Sequence, residues 1–234
     1  MKQPPWKKGI SWRWFVLWEA ADAPTITKEQ IQAAMDQRFS PEIRQKLANA
    51  RVGIAGLGGL GSHIAVMLAR TGVGTLHLVD FDVVDLTNLN RQQYFLPQLG
   101  QEKTKALCDL LRQINPYLTL LPQTVRVTEE NAGELFRDDP ILCEAFDQPE
   151  QKAMLVSTVL EQCPDTVVIS GSGMAGYGSA NDIHSRKAAR RLYLCGDETT
   201  DLAPFRGLMA PRVSVCAGHQ ANLVVRLILG EETP

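Results

Sequence analysis

A glycine-rich stretch constrains the fold of this chain more than any other feature of its sequence. The apolar segment RVGIA ends at residue 55, and GLGGLGSH follows it over residues 56–63. A helix is predicted next, over residues 60–70, because apolar residues recur there at helical spacing. A glycine turn between a strand and a helix leaves backbone N–H groups free to receive a phosphate. The pattern therefore predicts a nucleotide-binding turn, with an unliganded glycine turn as the alternative.

The glycines of this stretch have separate expected roles. Gly56 permits the tight turn, and Gly58 lets a phosphate approach the backbone. Gly61 lets the helix pack closely on the preceding strand. Gly59 belongs to the same turn, and we include it in the predicted nucleotide-binding set.

Segments with strand and helix character alternate along most of the chain. After the first strand and helix, further strands are predicted at residues 75–80, 118–127, 141–146 and 166–170. Further helices are predicted at residues 102–114, 129–136, 151–160 and 211–229, and a late strand at residues 191–194. This alternation is typical of a mostly parallel sheet with helices on both faces. The predicted fold class is therefore α/β and Rossmann-like, with a mixed C-terminal part.

The N-terminal segment differs in composition from the rest of the chain. Residues 1–18 hold all four tryptophans, and prolines and charged residues interrupt the apolar run that a signal peptide requires. We expect residues 1–26 to form an arm that packs on the domain or on a second subunit. Residues 27–234 are then one domain.

Charge, hydropathy and cysteine spacing narrow the class of protein further. The formal net charge is −2, which argues against nucleic acid as a partner. No apolar run reaches the length of a membrane span. The five cysteines form no C-x-x-C pair, so we expect no zinc site and no disulfide framework. Reduced thiols fit a cytoplasmic location best.

Acidic residues follow the second predicted strand. Asp80 ends that strand 19 residues after Gly61, where an acidic residue can accept hydrogen bonds from ribose hydroxyls. A cap at the strand end is the alternative role. Asp82 and Asp85 come soon afterwards, as further ribose ligands or as solvated loop carboxylates.

The next polar segment favours a triphosphate over a dinucleotide. TNLNRQQYF contains Asn88 and Arg91, and Lys103 opens the following helix. A triphosphate needs cations, metal or both, and a helix N-terminus alone supplies too little positive charge. Arg91 can fork onto phosphate oxygens, and Lys103 can act as a point charge. A solvated polar loop is the alternative.

Asp147 closes the apolar segment ILCEAFD. In a parallel sheet its carboxylate would lie at the same edge as Gly58 and Asp80. Magnesium bound by one carboxylate together with phosphates is the ordinary arrangement for that ion. The sequence therefore predicts Mg²⁺ at Asp147, and a helix N-cap is the alternative role.

Together these motifs resemble the ThiF/HesA/MoeB family, which is related to the adenylation domains of ubiquitin-activating enzymes. The resemblance rests on GIAGLGGLGSH, LVDFDVVDLTNLNRQ, LGQEKTKA with INP after it, and the strand that ends in Asp147. It implies a homodimeric enzyme whose cofactors are ATP and Mg²⁺. Such an enzyme adenylates the C-terminal glycine of a ubiquitin-like sulfur-carrier protein ending in Gly-Gly, and it releases pyrophosphate.

The resemblance also implies site residues. Asp80 matches the ribose ligand, and Asp147 matches the magnesium aspartate. The residues that match the phosphate-contacting set are Asn88, Arg91 and Lys103. An arginine from the N-terminal segment of the partner subunit completes the site in this family, and Arg38 is our candidate, with Arg44 second.

The C-terminal half departs from many members of that family. It has no paired C-x-x-C zinc ligands, and Cys195 is the candidate for a covalent link to the carrier. The segments SGSGMAGYGS, RLYLCGD and GLMAPRVSVCAGHQAN resemble short zinc-free ThiF-like proteins of thiamin synthesis. The resemblance therefore favours a thiamin-type carrier over a molybdopterin-type carrier.

Three other functions remain open at this point. A related enzyme could adenylate a small acid or a modified tRNA base, as threonylcarbamoyladenosine dehydratases do, and would need a catalytic cysteine and a basic tRNA face. An NAD-dependent oxidoreductase would need a proton donor near a nicotinamide pocket. A scaffold that docks the carrier without turnover would bind nucleotide but catalyse no reaction.

Overall fold

The structure, a computed structural model, describes residues 26–200 and 207–234. The chain divides into two compact units, Met1–Arg38 and Phe39–Pro234. The tryptophan-rich part of the expected arm lies outside the described residues. The domain boundary expected between residues 26 and 27 stays a prediction.

In the described part of the first unit, helix α1 spans Lys28–Asp36. Thr27 caps it in a capping box, since its hydroxyl accepts from the Gln30 N–H at 3.3 Å and the Gln30 side chain accepts from the Thr27 N–H at 2.8 Å. Such reciprocal bonds satisfy two N–H groups that a helix start leaves free.

A mostly parallel sheet forms the centre of the second unit. Within the described residues it has seven strands, in the order β3-β2-β1-β4-β5-β7-β6. The strands are β1 (Arg51–Ala55), β2 (Thr75–Asp80), β3 (Thr119–Thr124), β4 (Ile141–Glu144), β5 (Val167–Gly171), β6 (His184–Ala189) and β7 (Leu192–Gly196). Only β6 runs antiparallel to its neighbour in this sheet, which confirms the α/β class with a mixed C-terminal part.

Helices cover both faces of the sheet, as the alternation predicts. They are α2 (Pro41–Asn49), α3 (Gly59–Thr71), α4 (Lys103–Ile114), α5 (Glu129–Leu135), α6 (Pro149–Gln162) and α7 (Ala210–Leu229). The core on one face packs α3, α4 and α7 against the sheet, and the core on the other packs α5 and α6. Neighbouring strand residues divide between them: Ile54 lies in the first core and Ala55 in the second.

Local sequence signals explain several element ends. Ser40 caps α2 by accepting from the Ile43 N–H at 3.3 Å, and Pro41 takes the first helical position. Gly72 ends α3 in the left-handed conformation, at φ 93°.

Of the described helices, none combines the length and apolar character needed to cross a bilayer.

The structure differs from the sequence-based expectation at the edge of the sheet. The sequence predicts no strand between residues 170 and 191, but residues 184–189 form β6. Every residue of that strand is exposed or half-buried, so it lacks the apolar alternation that identifies a strand. Residues 125–127, expected to end the third strand, lie beyond the end of β3. Gln148, not Asp147, occupies the N-cap position of α6.

Candidate functional site

A cavity of about 440 Å³ opens where β1, β2 and β4 reach their C-terminal ends. Residues from the glycine turn, from the segment after β2 and from the segment after β4 line it. In open α/β sheets, ligands bind beyond the carboxyl ends of the strands. The cavity therefore lies where this fold class ordinarily binds its ligand.

The glycine turn forms one side of the cavity. Gly58 and Gly59 line it, and Gly58 holds the N-cap position of α3 with no side-chain cap. Gly56 has φ 89°, and a Cβ at Gly61 would lie 1.8 Å from the Gly56 carbonyl oxygen. Gly56 and Gly61 thus shape the turn, while Gly58 and Gly59 face the space where a ligand would bind.

Asp80 accepts hydrogen bonds from two backbone segments, one in the glycine turn and one after β2. Its Oδ2 accepts from the Leu57 N–H at 2.6 Å, and its Oδ1 accepts from the Asp82 N–H at 2.8 Å. Only 8% of the residue is exposed. Burial raises the pKa of Asp80, although nearby Lys103 and the two N–H donors act in the opposite direction.

Lys103 and Asp82 form an ion pair on the cavity wall. The Lys103 Nζ donates to Asp82 Oδ2 at 2.9 Å, and the Lys103 main-chain N–H donates to the Asp82 carbonyl at 3.0 Å. The Lys103 side chain is 7% exposed, whereas that of Asp82 is 49% exposed. A buried ammonium and an accessible carboxylate thus meet at the ends of β2 and α4.

Asn88 and Arg91 also line the cavity. The Asn88 side chain caps a short 3-10 helix by accepting from the Asp85 N–H at 3.1 Å. Arg91 Nη1 donates to the Thr87 carbonyl at 2.9 Å and to Asn90 Oδ1 at 2.8 Å. Its Nε is buried without a hydrogen-bond partner in the described part of the chain, so donor capacity remains for an anion.

Sequence reasoning missed two parts of the lining. Gln92 is buried, and its Oε1 has no hydrogen-bond partner among the residues that the structure describes. The other missed part is a wall formed by Phe81, Phe146 and residues 125–127, in which the Arg126 guanidinium carbon lies 3.8 Å from the Phe81 ring centroid. Gln92 follows Arg91 directly and was open to prediction, but residues 125–127 carry no local signal.

Asp147 lies in the segment after β4 and its side chain is exposed on the cavity. A magnesium ion bound through a nucleotide needs only one or two protein carboxylates, because phosphate oxygens and water complete its shell. Asp147 fits that donor set. Among the described residues, no group of three or more His, Cys, Asp or Glu side chains would hold a metal by itself.

Two candidates of the second unit, Arg44 and Cys195, do not line this cavity. Arg38 belongs to the other compact unit, so its role stays a prediction, and Arg44 lies in α2. Cys195 is fully buried, next to Ser185 Oγ at 3.3 Å. Burial raises the pKa of Cys195 to about 11, so at neutral pH it is a protonated core thiol.

The chain matches the model of the ThiF family over residues 30–234. The chain belongs to the ThiF family. That range includes the whole cavity, so the glycine turn and the polar residues around it are parts of a ThiF-family domain.

Two relatives found by sequence are both named as adenylyltransferase and sulfurtransferase. This ThiF-family chain is 37% identical over 116 residues to the adenylyltransferase and sulfurtransferase uba4 of Aspergillus terreus, covering 49% of the chain and 24% of the relative. It is 34% identical over 186 residues to the adenylyltransferase and sulfurtransferase MOCS3 of Caenorhabditis briggsae. That match covers 79% of the chain and 42% of the relative. The chain therefore spans about a quarter to two fifths of these curated relatives.

Solved structures share the fold. The tRNA N6-threonylcarbamoyladenosine dehydratase TcdA of E. coli, in complex with ATP, matches with a TM-score of 0.79 at 20% identity, covering 88% of this chain and 98% of that one. E. coli MccB with ATP matches with a TM-score of 0.62 at 25% identity, covering 80% of this chain and 57% of that one. Both neighbours bind ATP on the fold that this ThiF-family chain adopts.

Proposed function

We propose that this ThiF-family protein is an ATP-dependent adenylyltransferase that activates the C-terminal glycine of a ubiquitin-like sulfur-carrier protein. One observation carries the proposal. An uncapped helix N-terminus at Gly58, the cations Arg91 and Lys103, and the carboxylate Asp147 line a single cavity. That combination suits a magnesium-bound triphosphate better than a dinucleotide, whose diphosphate needs fewer cations.

The ATP molecule has a natural orientation in this cavity. The base would lie against the wall of Phe81, Phe146 and residues 125–127, which is mainly apolar. The phosphates would extend towards Gly58 and the buried ammonium of Lys103. Asn88 and Arg91 would complete the phosphate contacts, since an arginine with free N–H groups binds phosphate oxygens in pairs.

We assign the ribose contact to Asp82, with Asp80 in a supporting role. Both oxygens of Asp80 already accept backbone N–H groups, and little of its surface is open. Asp82 is half exposed on the same wall and uses Oδ2 for Lys103. Its remaining lone pairs can accept from ribose hydroxyls.

The reaction needs alignment and charge neutralisation more than a base. The glycine carboxylate of the carrier is already ionised at neutral pH. One of its oxygens attacks the α-phosphorus, an acyl–phosphate bond forms, and the bond to the bridging β-phosphate oxygen breaks. Lys103 and Arg91 would stabilise the negative charge that develops on the departing pyrophosphate. Bound Mg²⁺ would supply further charge neutralisation, held on the protein side by Asp147.

The buried cysteines favour a protein carrier over a tRNA nucleoside as substrate. The fold match to TcdA makes the tRNA reaction the second candidate, and that reaction would need an accessible cysteine in this chain. All five cysteines are buried. The resemblance of the C-terminal segments to thiamin-synthesis proteins remains our reason to prefer a thiamin-type carrier.

A homodimer and a cytoplasmic location are further parts of the proposal. Exposed apolar side chains cluster in the segment from β2 to α4 and offer a surface that a second copy would cover; they are Val83, Leu86, Phe95, Leu96 and Leu99. Large exposed apolar patches ordinarily mark interaction sites. Arg38 of a partner subunit would then be available to contact the phosphates.

The experiment is ATP–pyrophosphate exchange with purified protein and Mg²⁺. It compares no addition, tRNA alone, a ThiS-like carrier ending in Gly-Gly, and the same carrier without its last two residues. Exchange that requires the intact tail would support carrier adenylation. Exchange with tRNA alone would move the proposal to the nucleoside reaction, and ATP binding without any exchange would indicate a scaffold.

A further inference from the structure

A buried ion pair lies directly behind the segment that carries Asp147. Glu144 is the last residue of β4 and is fully buried, and Lys152 lies in the first turns of α6. The Lys152 Nζ donates to Glu144 Oε2 at 2.7 Å and to Glu144 Oε1 at 3.0 Å. Neither residue belongs to the nucleotide-binding set that the sequence motifs indicate.

This pair holds both polar backbone groups of the residue before Asp147. The Phe146 N–H donates to Glu144 Oε1 at 2.7 Å, and the Phe146 carbonyl accepts from Lys152 Nζ at 3.0 Å. Ser170, near the end of β5, donates to Glu144 Oε2 at 2.5 Å. Glu144 and Lys152 therefore both hold the backbone that leads into Asp147. The Glu144 carboxylate is in turn hydrogen-bonded to the neighbouring strand β5.

Lys152 is committed to this role and is not a spare phosphate ligand. An ammonium has three N–H donors. Glu144 Oε1, Glu144 Oε2 and the Phe146 carbonyl use all three. Its side chain is 21% exposed. A buried ion pair of this kind contributes little net stability compared with well-packed apolar side chains, so its geometry is the more informative property.

We propose that Glu144 and Lys152 are positioning residues that set the Asp147 carboxylate for magnesium-bound ATP. The inference rests on the proposed function only in requiring that the cavity bind ATP with Mg²⁺. It does not depend on which acyl group is adenylated. Loss of the pair would let the Phe146–Asp147 peptide move and would weaken the magnesium-dependent part of ATP binding.

The test measures ATP affinity by calorimetry in the full chain, with Mg²⁺ and with EDTA. The wild-type protein and Asp147→Ala define the magnesium-dependent gain in affinity. In Lys152→Met, the gain in ATP affinity on adding Mg²⁺ is expected to be about tenfold smaller than in wild type. A loss of this size is usual when a group that orients a metal ligand is removed. Its affinity in EDTA is expected to stay within about twofold of wild type, because the Gly58 turn and Lys103 are untouched.

Two further variants keep the test sharp. Glu144→Gln combined with Lys152→Met leaves no unpaired buried charge, so it is expected to fold, and it should show the same loss. Ser157→Ala is the matched control on α6, since Ser157 is exposed and its hydroxyl donates to the helix carbonyls of Ala153 and Met154. The inference is wrong if the folded double variant keeps the full magnesium gain, or if it loses affinity equally with and without Mg²⁺. Absence of carrier-dependent exchange would overturn the proposed function but would leave this binding comparison intact.

Discussion

The Leu57 N–H donates to Asp80 Oδ2 at 2.6 Å, which fastens the glycine turn to the end of β2. The other oxygen of the same carboxylate holds the backbone of Asp82 at 2.8 Å. One buried side chain thus sets the distance between the expected phosphate-binding turn and the expected ribose contact. In the proposed arrangement, Asp80 organises the site through these two backbone contacts and does not touch the nucleotide.

The assignment of ribose to Asp82 predicts how sugar-modified nucleotides behave. Wild-type protein should prefer ATP over 2′-deoxy-ATP or 3′-deoxy-ATP by about tenfold, the effect of one hydrogen bond to a charged acceptor. In Asp82→Ala that preference should fall to within about twofold, because the partner of the hydroxyl is gone. The measurement is kcat/KM for pyrophosphate exchange, expressed for each variant as the ratio of ATP to the deoxy analogue. Losing the Lys103 ion pair affects both nucleotides alike, so its effect cancels in that ratio.

Asp85→Ala is the control for this comparison, since Asp85 is an exposed carboxylate that lines the same cavity and binds Thr87. It should keep the full preference. If the preference survives in Asp82→Ala and disappears in Asp80→Asn, the ribose contact belongs to Asp80.

The first half of the site was predictable because its signals are local. The glycine turn, Asp80 and Lys103 each follow from the residues beside them, at the end of a strand or the start of a helix. The parallel sheet then brings them to one edge, since carboxyl ends of parallel strands meet there.

The supporting contacts were not predictable, because they depend on strand order. Ser170 meets Glu144 across 26 residues only because β5 lies beside β4. The burial of Cys195 likewise depends on α7, which covers the end of β7 and brings Cys216 Sγ within 3.3 Å of the Cys195 carbonyl. Neither relationship leaves a pattern in the surrounding residues.

Lys103 and Lys105 offer a matched test of the phosphate contact. Lys103 is buried at the cavity, whereas Lys105 lies two residues further along α4 and is exposed. Lys103→Ala should lower kcat for pyrophosphate exchange by about 100-fold, as expected when a charge that stabilises the transition state is removed. Lys105→Ala should stay within about twofold of wild type. Equal effects in the two variants would contradict a phosphate role for Lys103.

Two glycines predict opposite effects of the same substitution. A Cβ at Gly61 would lie 1.8 Å from the Gly56 carbonyl oxygen, so Gly61→Ala should destabilise the fold by about 3 kcal/mol and weaken ATP binding. A Cβ at Gly218, inside α7, would meet no atom within 4 Å among the described residues. Gly218→Ala should therefore stabilise the protein by about 0.5 to 1 kcal/mol. Urea unfolding measures both changes, and unaltered stability in Gly61→Ala would show that the turn is not closed as described.

Asp197 predicts a stability change with pH. Burial alone would raise its pKa, but N–H groups of Thr200 and Thr199 and the Arg212 guanidinium donate to the carboxylate and hold the pKa of Asp197 well below its usual value. The folded-state pKa thus lies below that of the unfolded chain. The stabilisation is fully present above about pH 4 and is lost as the pH falls through the folded-state value.

Asp197→Asn should therefore cost about 3 kcal/mol at neutral pH, because it leaves Arg212 buried without its charged partner. The difference from wild type should narrow as the pH is lowered below about 4. Urea unfolding across this range is the measurement, with Asp165→Asn, an exposed carboxylate, as the control. A difference that stays constant with pH would show that the carboxylate charge is not the stabilising feature.

Cys195 predicts the outcome of thiol chemistry. The residue is fully buried and its pKa is raised to about 11 by burial, so it lacks the accessible thiolate that a covalent link to the carrier requires. Cys195→Ala should keep carrier-dependent exchange within about twofold, with a stability loss of about 1 kcal/mol. Cys163→Ala, another buried thiol, is the control and should behave in the same way.

In the native protein an aromatic disulfide reagent should modify none of the five cysteines, since all are buried. Loss of carrier-dependent turnover in a folded Cys195→Ala variant, with ATP binding intact, would instead identify this thiol as the point of attachment.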